Sequence, residues 1–177
     1  MKDFLPKGYK VPEPQSRYMR FEEGENKIRI LSETLLGWEY WVEDDEGNRK
    51  PIRVRTEEEL PANIAKTGRD KAKHFWAFIV WNYQLEAIQI LELTQVGIQR
   101  AIEGLYKSKD WGDVSDYDII VKKTKTGTRD MDVEYNVIPT PKKKVAKEIE
   151  EALIANPINL EALYEGKDPF EVELEQD

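Results

Sequence analysis

Two kinds of residue in this chain could do chemistry. Carboxylates are the first: Asp116 and Asp118, with Asp130, Asp132 and Glu134, fall in two neighbouring segments and are the group type that would hold magnesium in a nuclease. Solvated strand edges beside lysines explain the same pattern, so metal-dependent hydrolysis stands only as an alternative. The second kind is rings interleaved with bases. Trp38, Tyr40, Trp76, Trp81, Tyr83 and Tyr135 could stack on flat ligands, and Arg53, Arg55, Arg69, Lys71, Lys73, Lys122, Lys123, Lys125 and Arg129 could follow phosphates. Nucleophilic catalysis has little to work with: His74 is the single histidine, no serine lies near it in sequence, and the chain has no cysteine. Disulfides and thiolate metal sites are excluded, and no cofactor is expected.

The element that must position most of these groups is the stretch from His74 to Leu93. It is dense in aromatic and β-branched residues and breaks only at Asn82-Tyr83-Gln84, which predicts two long strands joined by a tight turn. One parity of the first strand carries His74, Trp76, Phe78, Val80 and Asn82; the other carries Phe75, Ala77, Ile79, Trp81 and Tyr83. Both faces are therefore largely apolar. One can fill a core, and the other must be covered by a second layer of protein or by a stacking ligand such as single-stranded nucleic acid.

Around this hairpin the remaining elements follow in order. Residues 1–17 are proline-rich and polar without a period, which predicts a mobile arm. Lys27-Ile-Arg-Ile-Leu31 alternates as a first strand, and Trp38–Val42 and Lys50–Arg55 flank the turn Asp44-Asp-Glu-Gly-Asn48 as a hairpin. In that hairpin Arg53 and Arg55 share one face, as do Trp38 and Tyr40. Thr94 can cap a helix whose stripe is Ile98, Ile102, Leu105 and Tyr106, ending near Ser108. Tyr117–Lys123 and Met131–Ile138 make a further hairpin with a basic tip. Thr140-Pro141 reads as a helix start, with Val145, Ile149, Ala152 and Leu153 as its docking stripe and Asn156-Pro157 as its stop.

At 177 residues the chain is long enough for one domain with a sizeable core. Its net charge of -8 is unevenly placed: residues 145–177 hold two lysines against ten acids, which leaves 25 basic and 25 acidic groups in residues 1–144. Position matters more than the sum. Asp168, Phe170, Glu171, Glu173, Leu174, Glu175 and Asp177 form an acidic end with small apolar anchors, expected to be mobile and to contact partner proteins. An acidic chain can also occupy basic grooves of other proteins, which leaves an acidic protein-binding module as an alternative. No segment has the length of a signal peptide's apolar core or of a membrane span, so a cytoplasmic protein without membrane contact is the expectation.

The order is strand, inserted hairpin, two long strands, helix, two strands, helix. Without the insertion and the tail this is the arrangement of a five-stranded OB-fold barrel with a helix between strands 3 and 4, whose face and loops bind oligonucleotides and oligosaccharides. A β-sandwich is the structural rival. The expected division is an arm over 1–17, a binding domain over 18–156 and a tail over 157–177. The runs Arg20–Leu31, Lys73–Trp81, Ile90–Leu93, Asp110–Asp113, Tyr117–Val121 and Tyr135–Pro139 together resemble the single-stranded DNA-binding proteins of tailed bacteriophages. That resemblance implies a protein of the host-cell cytoplasm that coats single strands in replication, recombination and repair. It also implies an acidic tail that contacts replication or recombination proteins. Some of those proteins carry a zinc module with cysteine ligands; the absence of cysteine here predicts no zinc and puts the segment from Gly37 to Arg55 in its structural place.

Overall fold

The computed structural model describes residues 3–11, 16–64 and 71–172. Among them the chain forms a mainly β structure, an open antiparallel sheet of seven strands with two α-helices. The strands are β1 (Gly24–Ile30), β2 (Leu35–Glu43), β3 (Arg49–Val54), β4 (Lys73–Asn82), β5 (Ala87–Leu93), β6 (Tyr117–Lys125) and β7 (Val133–Lys142); the helices are α1 (Val96–Lys107) and α2 (Lys147–Ala155).

β4 is the strand on which the others converge. One of its edges pairs with β5 from Trp76↔Leu93 to Asn82↔Ala87. The other edge is shared, by β1 at Ile28↔Asn82 to Ile30↔Val80 and by β2 at Leu35↔Ala77 to Glu39↔Lys73. β1 and β2 are thus nearly one strand, interrupted where the Ser32 hydroxyl accepts from the Ile79 amide at 2.8 Å and replaces a backbone carbonyl in the ladder. The turn of the β2–β3 hairpin is held by Asp44, whose carboxylate accepts from the Glu46 and Asn48 amides, while Gly47 takes φ +83 at no steric cost.

The apolar parity along β4 sorts its side chains as alternation requires. Phe78 and Val80 point to one face, where Ile28, Ile30, Leu91, Leu93, Tyr117, Ile119 and Val121 join Ile98 and Ile102 of α1 in the main core. This is the α1 face. The opposite face is covered by the end of the chain: Ile79, Trp81 and Ile88 pack on Ile149 of α2, and Phe75, Ala77 and Ile90 pack on Leu163 from the 3-10 helix Leu160–Glu165. We call it the C-terminal face. Burying each such Leu, Ile or Phe side chain contributes about 1.5–3 kcal/mol, so the second layer is part of the fold's stability.

Three expectations are corrected. The sheet does not close, because β5 and β7 are not paired; α1 packs against both and stands between them. α1 starts at a Gln95 cap without a side-chain cap bond, and not at Thr94. Thr140-Pro141 does not open a helix: β7 runs on to Lys142, with the Thr140 hydroxyl donating to the Asp118 carbonyl at 2.8 Å, and α2 begins at Lys147. β7 lies at the edge of the sheet, where Pro139 and Pro141 are tolerated because an edge strand needs no second set of amide donors.

The tail boundary at 157 also does not coincide with an edge of the packing. Phe170 lies edge-on to Tyr18 with centroids 5.5 Å apart, and the Arg17 guanidinium sits 4.0 Å from its ring centre. The Tyr164 hydroxyl donates to the Leu36 carbonyl, and the Asn159 amide donates to the Pro169 carbonyl. Leu160 and Leu163 dock this segment on the apolar face of β4 and β5. Glu173, Leu174, Glu175 and Asp177 lie outside the described residues.

Candidate nucleic-acid interface

The hairpin β2–β3 carries its two pairs of candidate residues on opposite faces of the sheet. Register decides this: Trp38 lies across from His74 on β4 and from Val54 on β3, and Tyr40 lies across from Ile52. Trp38 and Tyr40 therefore belong to the α1 face, together with Leu36, His74 and Trp76, and the Trp38 and His74 rings lie 5.2 Å apart at 50°. Trp76 packs at the margin of the main core, but Trp38, Tyr40, Ile52 and Val54 are half-buried and join no core cluster. Leu36 is 49% exposed. The result is a strip of rings continuing the α1 face past the end of the core. His74 Nδ1 is buried and has no hydrogen-bond partner among the described residues.

Gly37 makes this strip possible. It sits between Leu36 and Trp38, opposite Phe75, and a Cβ there would lie 2.3 Å from the Val54 carbonyl oxygen and 2.8 Å from the Phe75 ring. Backbone and ring cannot both retreat, so only glycine lets β2 run this close.

Arg53 and Arg55 face the other way, under the C-terminal layer, and are tied to the chain's own acids. Arg53 donates from Nη2 and Nε to Glu92 at 2.8 and 3.2 Å, and its Nε is 3.3 Å from Glu39. Two carboxylates and one guanidinium share this nearly closed site. Burial, and then the hydrogen bond and charge of Glu92, push Glu39 up to about 8, against the pull of Arg53 and Lys73. Burial also acts upward on Glu92, but its hydrogen bonds with Glu39 and Arg53 outweigh that and hold it below the usual carboxylate range. At neutral pH Glu39 thus carries the proton and Glu92 the charge that faces Arg53. Arg55 pairs with Glu161 at 3.0 Å and lies 4.1 Å from the Tyr164 ring centre. Arg53 is thus held by the chain's own carboxylates in a nearly closed site, whereas Arg55 makes a solvent-exposed pair.

Trp81 is likewise committed, 5% exposed beneath α2. Tyr83 donates its hydroxyl to Asp118 at 2.8 Å, and Lys27 lies 4.7 Å above its ring. Burial and the bonded Asp118 push the Tyr83 phenol up to about 12. Asp118 itself is 2% exposed and is paired with Arg29 at 3.4 Å and Lys27 at 3.7 Å, while Arg29 also donates to the Ser115 and Lys143 carbonyls. This network ties β1 to β6 and to the entry of α2. The remaining acids do not join it: Asp132 is held by Arg129 at 2.8 Å, and Asp116 and Asp130 are exposed. Among the described residues no group of three or more potential metal ligands comes together.

The lysines divide by position. Lys122 and Lys125 are exposed on β6, Lys123 is half-buried with its ammonium donating to the Phe21 carbonyl at 3.4 Å, and Tyr135 packs its ring 5.9 Å from Phe21. Arg129 belongs to the tip of the β6–β7 hairpin with Asp132. Lys71 and Lys73 are exposed at the start of β4, and Arg69 lies outside the described residues. At the acidic end, Asp168 accepts from the Phe170 amide at 2.9 Å and Glu171 is exposed. Sequence reasoning missed three members of the ring strip's surroundings. Leu36 and His74 share its face, and the exposed Lys50 falls on it by pairing with Val42. The signal was available in the parity of β2 and β3, once their pairing with β4 was known. No helix among the described residues is long and apolar enough to cross a membrane. No protein-family model, curated protein or solved structure matches the chain.

Proposed function

We propose that the chain binds single-stranded DNA without strong sequence preference, along the ring strip of the α1 face, as a coating protein of phage replication and recombination. The observation that carries this reading is that Trp38 and Tyr40 are half-buried, lie on one face with Leu36 and His74, and belong to no core cluster. Rings left beside a finished core are stacking surface, and each stacked base is worth about 1–3 kcal/mol. Lys50 is exposed on the same face, and Lys125 has the parity of Val121 and so points to that side of β6, whereas Lys73, across from Glu39, and Lys122, next to Val121, point to the other face. The order of pairing supports an OB-like reading as well. β4 with β1 and β5, then β1 with β6 and β6 with β7, and α1 between β5 and β6, is the connectivity of that barrel with its last seam occupied by a helix.

Fluorescence anisotropy with single-stranded and duplex oligonucleotides tests this. If three to five phosphates are neutralised, log affinity for the single strand falls against log salt with a slope of roughly -2 to -3.5, at about 0.7 per phosphate. Trp38→Ala should weaken that binding by about 1–3 kcal/mol while the melting temperature stays within a few degrees. Equal affinity for duplex, or a Trp38→Ala protein that binds as the wild type does, contradicts the proposal.

A further inference from the structure

Where β1 gives way to β2, the sheet opens into a pocket of about 570 Å³ on the α1 face. We propose that this pocket takes one nucleobase of a bound strand, and that it prefers a base with hydrogen-bond donors on its edge, guanine above the others. This inference rests on the single-strand reading for its source of ligand, but the chemistry is that of the pocket itself.

The pocket exists because the ladder is interrupted. Ser32 takes over the Ile79 amide, β1 and β2 part, and the side chains of Trp76 and Phe78 beneath them are left as a floor. Ile102 and Tyr106 of α1 form one wall, and Tyr106 is 62% exposed with no hydrogen bond to its hydroxyl among the described residues. A flat ring resting on Trp76 with Tyr106 closing over it would be held as bases are held in single-strand sites, between aromatic planes. Ile30, Leu31 and Val114 add apolar wall that suits the body of a base, and the rest of the lining, with Ser32, Thr34 and Ser115, is polar.

Charge selects which part of a nucleotide enters. The lining includes Glu33 and Asp113 and no lysine or arginine, so a phosphate would be repelled while a neutral ring is not. Asp113 is already occupied, accepting from the Ser115 amide and hydroxyl at 2.9 and 2.8 Å. Glu33 is exposed, and its carboxylate makes no hydrogen bond or ion pair among the described residues. A free carboxylate is acceptor-only and takes two donors side by side. The N1–H and amino group of guanine present that pair; thymine and uracil present acceptors on either side of one N–H.

The test uses the full chain with four probes: guanosine, thymidine, an oligothymidine strand, and the same strand with one central guanine. Calorimetry or tryptophan fluorescence, read against Trp76, should show guanosine binding and thymidine binding at least about 5-fold more weakly. The guanine-containing strand should bind about 5-fold or more tighter than oligothymidine. Glu33→Gln should abolish that difference and leave oligothymidine affinity unchanged, and Tyr106→Ala, at an exposed position, should weaken guanosine binding with an unchanged melting temperature. Trp38→Ala should instead lower affinity for both strands alike. If oligothymidine binds but guanosine does not, and one guanine changes nothing, the pocket inference is overturned and the single-strand reading stands. If guanosine binds through Glu33 and Tyr106 but neither strand binds, the base pocket is supported and the single-strand reading fails.

Discussion

The two faces of β4 are nearly equal in the sequence and opposite in the structure. Each carries two or more large rings: His74, Trp76 and Phe78 on one, Phe75 and Trp81 on the other. On the C-terminal face every one of them is buried by α2 and by residues 158–170; on the α1 face the core ends at Trp76 and the rings continue without joining a cluster. The difference teaches that ring content alone does not mark a ligand face. What decides is whether the chain has enough apolar segments left to cover a second layer, and here it has enough for one face and part of the other.

Several measurements would break or sharpen that contrast. The largest effect is expected from Trp81→Ala, which removes a buried indole from under α2 and should cost about 3–5 kcal/mol of stability in chemical denaturation. A cost below about 1 kcal/mol would mean that the C-terminal face is not a packed layer. Ending the chain after Lys167 deletes Phe170 and with it the contacts to Tyr18 and Arg17. A lower melting temperature is expected, by several degrees if about 1–2 kcal/mol is lost; an unchanged one would restore the segment to the status of a detachable tail.

The buried carboxylate pair gives a pH test. Glu39 has a folded value of about 8 against 4.5 as its ordinary value, so between those limits the folded chain binds more protons than the unfolded chain. Its contribution to stability is therefore fully present below about pH 4.5 and declines as pH rises towards about 8. Glu92 is shifted the other way, so its contribution is present above its ordinary value and is lost as pH falls through its lowered one. Glu39→Gln keeps a hydrogen-bond donor for Glu92 and should flatten the decline of melting temperature between pH 5 and 8. A variant as pH-dependent as the wild type would refute the shared proton. The smallest effect belongs to Arg55→Ala, which breaks an exposed pair with Glu161 and should cost no more than about 1 kcal/mol in the same unfolding experiment.

Much of the fold was legible because it is local. Turn residues such as Asp44 and Gly47, the alternation in β4 and the stripe Ile98-Ile102 each act through near neighbours. The candidate site was legible only by halves. Parity placed Trp38 with Tyr40 and Arg53 with Arg55, but which pair shares a face with Trp76 depends on the pairing of β2 with β4, between residues some forty positions apart. The fate of Arg53 was hidden for the same reason, since Glu39 and Glu92 meet it only across three strands. Thr140-Pro141 misled because a threonine before a proline suits a helix start and an edge strand equally, and only the place of β7 in the sheet separates them.

β4 shares its two edges among three strands and buries most of both faces, and this sets an order for how the molecule breathes. The amides of Val80 and Trp81, held between β1 and β5, can meet solvent deuterium only when the whole sheet comes apart, so their exchange should track global unfolding. The β2–β3 hairpin pairs with β4 only from Leu35 to Glu39, with β3 at the sheet's edge, and is otherwise held by the Arg53–Glu92 pair and the Tyr164 bond to the Leu36 carbonyl, so its amides should exchange through a smaller opening than those at the centre of β4. The ring strip would then ride on a part of the molecule that opens more easily than the centre of β4, and under the single-strand proposal the protein would yield its grip locally while the layer beneath α2 stays closed.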